Sequence, residues 1–249
     1  MPELFSGARL KANRARQHVN ELDKVLAAHI ERGAGKMRVK KEAQFCYTLV
    51  FVAEPMPDDI PLILGDAIHN LRAALDHVAW ELIAAAGGVP GKNTYFPICE
   101  TREKLIKAVE KGEMKIAGPT ICSLIIDTIQ PYKNGKSALW PLHDTDITDK
   151  HRLLVPVVGV AKSERLSIRT QQGGGILNFH VVVAPGNTQG VYRSNCIFTL
   201  TTEGKPTCEI YFPADSGFGT EPLIPTLNRL CETVVEVIDS IERTFNAPN

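Results

Sequence analysis

The stretch Gly65-Asp66-Ala67-Ile68-His69-Asn70-Leu71-Arg72-Ala73-Ala74-Leu75-Asp76-His77-Val78-Ala79-Trp80 reads as a helix whose two sides have different tasks. At about 100° per residue, Leu64, Ile68, Leu71, Leu75, Val78 and Leu82 fall on one side, as in a core helix. Asp66, His69, Asn70, Arg72, Asp76, His77 and Trp80 share the other. A solvated helix face is usually Lys, Glu and Gln, which are strong helix formers. Imidazole, carboxylate and guanidinium groups collect instead where hydrogen bonds or protons must be placed. A structural reading competes with this one. Arg72 and Asp76 are four apart and can form a helical ion pair worth about 0.2–0.5 kcal/mol, with His69 and His77 capping carbonyls of a neighbouring helix.

Outward from this segment, Pro55, Pro57 and Pro61 break the chain, Asp58 or Asp59 supplies an N-cap, and Gly87-Gly88 stops a helix running from about Asp59 to Ala86. Leu10, Val19, Leu22, Val25, Leu26 and Ile30 predict an amphipathic helix from Ser6 to about Arg32, and the β-branched run Gln44 to Ala53 predicts a strand. A loop holding Pro90, Asn93, Pro97 and Cys99 leads to a charged helix over Arg102 to Lys111 and an apolar one over Thr120 to Gln130. From Leu153 to Ala214 the pattern becomes β-rich, with runs at Leu153 to Val160, Leu166 to Thr170, Leu177 to Ala184, Val191 to Thr201 and Thr207 to Phe212. Gly173-Gly174-Gly175 and Pro185-Gly186-Asn187 read as turns, and the short spacings predict an antiparallel meander. Leu223, Leu227, Leu230, Val234, Val237, Ile238, Ile241 and Phe245 form the stripe of a final helix over Glu221 to Phe245. The expected fold is a single α+β domain over residues 1–249. In it a helical bundle (about 6–152 and 221–246) carries an antiparallel β-sheet (about 153–214) inserted before the C-terminal helix.

The 28 Lys and Arg balance the 28 Asp and Glu, so no global field draws the chain to a polyanion, and any such contact needs a local patch. Six scattered cysteines without a CxxC pair read as thiols in a reducing compartment. No apolar run is long enough for a membrane span and the start lacks a signal-peptide pattern, so the expectation is a cytoplasmic protein with no membrane contact.

A second polar cluster, Leu142 to Arg152, holds His143, Asp144, Asp146, Asp149, Lys150, His151 and Arg152. His143, Asp146 and His151 are candidate ligands for a divalent metal, and joined to His69, Asp76 and His77 they describe a metal-dependent hydrolase. Lys150 and Arg152 are candidate phosphate contacts, and Trp140 stands where it could close over a ligand. On the structural reading the aspartates and basic residues suit the two ends of a helix. A further alternative is a non-catalytic binding module whose polar helix face is an internal network.

The spacing Arg72 to His77, an R-x4-H pattern, resembles that of the HEPN superfamily of helical-bundle proteins, and the HNLRAALDH and DKHR segments also resemble bacterial proteins of uncharacterised function. The HEPN resemblance implies a metal-independent RNA endonuclease without cofactor, of toxin or defence type, working as a homodimer. It implies His77 as general acid or base, Arg72 neutralising the developing charge, Asn70 orienting the phosphate and Asp76 steadying Arg72, with His69 a further catalytic candidate beside them. Ala73 stands where that family carries a polar residue, and the β-rich insert is foreign to its usual fold.

Overall fold

The computed structural model describes residues 4–247 except 155, 161–165, 171–172, 178–180 and 203–207. Its elements run α1 (Ser6–Glu31), β1 (Gly35–Ala43), β2 (Cys46–Ala53), α2 (Asp59–Ala85), α3 (Arg102–Lys111), α4 (Pro119–Ser123) and α5 (Leu139–His151). Then come β3 (Val157–Val160), β4 (Leu166–Thr170), β5 (Gly173–Leu177), β6 (Val181–Val183), β7 (Thr188–Ser194), β8 (Phe198–Thr202), β9 (Cys208–Tyr211) and α6 (Leu223–Asn246). This is the expected α+β fold, helices first and last with β-structure between them.

Helix α2 is the axis of the bundle. Pro61 sits in its first turn, where the missing N–H costs nothing, and Asp59 meets the positive helix end. At the far end Gly87 adopts φ 83°, which a side chain resists, and the Gly88 N–H closes the turn on the Ile83 carbonyl at 2.9 Å. Ile60, Leu64, Ile68, Leu71, Leu75, Val78 and Leu82 are buried between α1, α5 and α6. On α6 the predicted stripe is buried from Leu223 to Ile241, and Phe245 at its end is only partly buried. On α1 the register differs from the expected one: Leu10 is exposed, and Ala8, Ala12, Ala15, Val19, Leu22 and Leu26 face inward. Small side chains there let α1 lie close against α2, a contact that larger residues would prop open.

The β-region is organised differently from a meander. Three antiparallel three-stranded sheets form, in the orders β1-β2-β7, β6-β3-β9 and β5-β4-β8. Strand β1, unforeseen because its Lys and Arg hide the alternation, pairs along its whole length with β2, from Gly35↔Ala53 to Ala43↔Cys46. Strand β7 pairs with β2 from Tyr47↔Ser194 to Val52↔Thr188, so the insert is hydrogen-bonded back to the N-terminal hairpin. Gly173, Gly174 and Gly175 lie in strand β5 rather than in a turn, and the connection to β4, residues 171–172, falls outside the described residues. The expected run Val191 to Thr201 is two strands, β7 and β8, and the expected apolar helix over Thr120 to Gln130 is α4 followed by a π-helical turn, Leu124–Ile129. The predicted runs Leu153 to Val160, Leu177 to Ala184 and Thr207 to Phe212 each include residues outside the described set.

Helix α5 docks on α2 where Gly65 leaves room for the Asp149 carboxylate: a Cβ at Gly65 would stand 2.4 Å from its Oδ2. Gly65→Ala therefore destabilises the protein by about 1–3 kcal/mol through overpacking, although alanine has the higher helix propensity. A lowered urea midpoint at unchanged m-value checks this; a raised midpoint contradicts the docking.

Candidate functional site

The two polar segments meet. His69, Arg72 and Asp76 lie within about 60° of one another on α2 at 100° per residue, and that sector faces α5 and the loop after α2. Arg72 is 7% exposed, and its planar fork is spent in three directions. Its Nη1 forms an ion pair with Asp76 Oδ1 at 2.7 Å, Nη2 donates to the Phe96 carbonyl at 3.1 Å, and Nε donates to His143 Nδ1 at 3.3 Å. Asp76 Oδ1 in turn accepts the Phe96 N–H at 3.0 Å. The buried Phe96 is thus gripped by both backbone groups, which pins the loop between α2 and α3 to the helix.

One helical turn earlier, His69 Nδ1 donates to Asp146 Oδ1 at 3.1 Å, and Lys150 Nζ donates to Asp146 Oδ2 at 2.6 Å. Asp146 is 2% exposed, so both carboxylate oxygens are committed and water is kept from them. The donated Nδ1–H fixes the His69 tautomer and leaves Nε2 with a free lone pair at an exposed ring. His143 is in the opposite state. Accepting from Arg72 at Nδ1 leaves its Nε2 as an N–H donor, and burial, helped by the Arg72 charge, pulls its pKa below the ordinary histidine value. Burial likewise pushes the Asp76 carboxyl up, against the pull of Arg72 and the Phe96 N–H. Trp140 packs edge-on against His143, ring centroids 6.0 Å apart.

These groups border a cleft of about 540 Å³. Arg72, Asp76, His143, Asp146 and Lys150 line one part of it, with His69 beside them through Asp146. Ile83, Asn93, Thr94, Tyr95, Phe96, Pro97, Ile98, Ala108, Gly112, Glu113 and Met114 line the rest. That second group was not singled out from sequence. Its one visible signal was the Pro- and Asn-containing loop, which says that the chain turns but not what it turns towards.

Other expected site residues stand elsewhere. Five steps along a helix turn by about 140°, and His77 accordingly leaves the Arg72 sector, lying 3.9 Å from Glu81 Oε1 and against Gly7 of α1. Glu81 accepts the Ala8 N–H at 3.2 Å and so caps α1, and His77 belongs to that packing within one chain. Asn70 donates back to the Asp66 carbonyl at 2.8 Å. Arg152 pairs with Asp215 at 2.8 Å, and His151 is exposed and away from the cleft lining. Trp140 lines a separate cavity of about 430 Å³ beside Lys133 and Asp144, so it supports His143 from behind and does not cover the cleft. Among the described residues no group of three His, Cys, Asp or Glu side chains is placed to hold a metal ion. His143, Asp146 and His151 do not form one because Asp146 is taken by His69 and Lys150, His143 Nδ1 by Arg72, and His151 points away.

The chain matches no family model, and no curated protein and no solved structure shows significant similarity to it.

Arg72→Ala leaves the partly buried Asp76 carboxylate and the Phe96 carbonyl without their partner, at a cost of about 1–3 kcal/mol, with Arg72→Lys recovering only part because a point charge lacks the fork. Chemical denaturation measures both; a loss below about 1 kcal/mol for alanine would show that the loop is held by other means.

The depressed His143 pKa has a sign. Between the ordinary histidine value of about 6.5 and its own lower value, the unfolded chain binds the proton and the folded one does not, so stability falls as pH falls through that window. Above it the contribution vanishes. His143→Gln, whose amide oxygen can still accept from Arg72, therefore loses less stability than the native chain between pH 7 and 5. His29, also depressed by burial, contributes equally to both proteins and cancels in the comparison.

Proposed function

We propose that the chain is an RNA-cleaving enzyme of the metal-independent, transesterifying kind, working through His69 and not through His77. The observation that carries this reading is a cleft lined by His143 and Lys150 with a second imidazole, His69, held beside it through the lining residue Asp146. His69, oriented by the buried Asp146, presents an exposed Nε2. His143 is kept neutral and presents an N–H. Lys150, anchored at 2.6 Å, supplies positive charge.

In the proposed step His69 Nε2 takes the proton of a ribose 2′-hydroxyl as its oxygen attacks the adjacent phosphorus. The P–O5′ bond breaks, and the His69 imidazolium, stabilised by Asp146, returns the proton to the departing 5′ oxygen. The products are a 2′,3′-cyclic phosphate and a free 5′-hydroxyl. The His143 Nε2–H and the Lys150 ammonium meet the charge that grows on the non-bridging oxygens. Arg72 does not reach the phosphate in this scheme, since its three nitrogens already hold Asp76, Phe96 and His143. It positions His143.

A local patch supports contact with a polyanion despite the balanced total charge. Lys36, Arg38, Lys40 and Lys41 are exposed on β1, at one edge of the β1-β2-β7 sheet. Six unpaired cysteines support a reducing, cytoplasmic setting, and among the described residues no helix is long and apolar enough to cross a membrane.

The HEPN resemblance carries a variant of this reading, in which His77 and Arg72 from two copies of the chain converge. The exposed His77 and Trp80 would face the second copy. Single variants separate the two. His69→Ala lowers cleavage of single-stranded RNA by about 10²-fold or more, and His69→Gln, whose amide can still donate to the buried Asp146 and so keeps that contact, shows the same loss. His77→Ala leaves cleavage intact. Loss of activity in His77→Ala alone moves the site to a dimer interface, and no RNA cleavage by the native protein in the presence of chelator removes the proposal.

A further inference from the structure

The cleft is longer than the acid–base groups need and differs in chemistry at its two ends, with paired charges at one and an unpaired carboxylate at the other. Its helical wall runs from Arg72 to Ile83, about 16 Å at 1.5 Å per residue, both residues lining it. The Arg72 end meets α5 with His143 and Lys150. The Ile83 end meets the turn Glu113–Ala117, where Ile83 and Ile116 close around Gly88. At this second end a carboxylate is deliberately held. The buried Thr94 hydroxyl accepts the Gly91 N–H at 2.9 Å and donates to Glu113 Oε2, so a backbone group aims the hydroxyl and the hydroxyl aims the carboxylate. Among the described residues no cation pairs with Glu113, and its other oxygen is left as an acceptor at the cleft wall. Tyr95, next to Thr94, also lines the cleft and is 58% exposed, an unusual position for a tyrosine with nothing to stack on.

We infer that this end is a base-recognition subsite selecting guanine: Glu113 accepts from the N1–H and 2-amino group while Tyr95 stacks on the ring. This deepens the RNA-cleaving reading and rests on it. The donor and acceptor chemistry argues for the orientation. A phosphate finds N–H donors from Lys150 and His143 at one end and is repelled by Glu113 at the other, while a neutral base with adjacent N–H donors satisfies a fixed carboxylate that a phosphate would not. Among the bases guanine offers two such donors side by side, and adenine presents an unprotonated N1 that faces a carboxylate unfavourably. The aiming by Thr94 matters because a bidentate pair discriminates only when its acceptor is held in plane.

The test uses single-stranded RNA oligonucleotides with one variable purine in a pyrimidine run, and the native, Glu113→Gln and Thr94→Val proteins. Native protein should cleave beside guanosine about tenfold or more faster than beside adenosine, with inosine, which keeps N1–H and lacks the 2-amino group, between them. Glu113→Gln should abolish the difference between the guanosine and adenosine rates. Thr94→Val should lose part of the preference. In parallel, guanosine 3′-monophosphate and adenosine 3′-monophosphate are titrated into His69→Ala protein, which keeps the subsite and lacks the base. Tighter guanosine binding that Glu113→Gln abolishes supports the inference without any turnover. Equal cleavage beside all purines, or a guanosine preference untouched by Glu113→Gln, overturns the subsite and leaves the RNA-cleaving reading standing. Guanosine binding without RNA cleavage overturns that reading and keeps the recognition, and neither binding nor cleavage overturns both.

Discussion

The site depends on the burial of one guanidinium. A solvated arginine would contribute a few tenths of a kcal/mol to an i,i+4 pair with Asp76. At 7% exposure Arg72 instead organises everything around it, because no water competes for its donors. Its Nη2 holds the Phe96 carbonyl, its Nε holds His143 in one tautomer, and its charge offsets the cost of burying Asp76. Three chain segments far apart in sequence therefore acquire a fixed relation through one side chain. The fork is what permits this: three nitrogens in one plane address three directions, which a lysine at the same position does not.

How far this was legible follows from what kind of signal each part sends. Helix α2 and helix α6 announce themselves by period, and the apolar residues the wheel selects on them are buried apart from Phe245, whereas the burial of Arg72 on the polar side of α2 is not in the wheel. The polar side of α2 was recognisable as unusual, but a wheel orders residues around one helix and says nothing about neighbours, so Arg72 and His77 looked equivalent while one faces α5 and the other α1. Lys150, Asp146 and His143 were legible as a cluster; that the Asp146 carboxylate is saturated by two donors, His69 and Lys150, and so unfit to ligate a metal, is a tertiary fact. Phe96 sent no signal at all, since its role lies in its backbone groups, which every residue has. Strand β1 was missed because its exposed Lys and Arg mask the period that pairing with β2 imposes.

The two ends of the cleft also show why net charge was a poor guide. The total is zero, yet one cleft gathers Arg72, Lys150, Asp76, Asp146 and His143 at one end and the carboxylate of Glu113 at the other. Separation of charge inside a partly desolvated groove acts on a bound molecule more strongly than the same charges on an open surface, because screening by water and salt is reduced. Neutrality then reflects balance across the molecule and not the absence of local fields. The β1 ribbon of Lys36, Arg38, Lys40 and Lys41 makes the same point on the outside.

A purely structural network and a reactive one can be told apart by their unsatisfied atoms. A network selected only to hold helices together gains by completing every hydrogen bond, since each buried polar atom left over costs stability. Asp146 fits that description, with both oxygens partnered within the protein, whereas the buried Arg72 Nη1 makes an ion pair with Asp76 without completing a hydrogen bond. Around them stand solvent-reachable groups with open donor or acceptor positions. His69 Nε2, His143 Nε2–H, the remaining Lys150 protons and one Glu113 oxygen all lie on or beside the same cleft, each with its neighbour atom already committed and its geometry thereby fixed. Saturated groups holding unsaturated ones in position is the arrangement preorganised chemistry requires. It has no counterpart around His77, where the Glu81 carboxylate serves the α1 backbone and the cleft is on the other side of the helix.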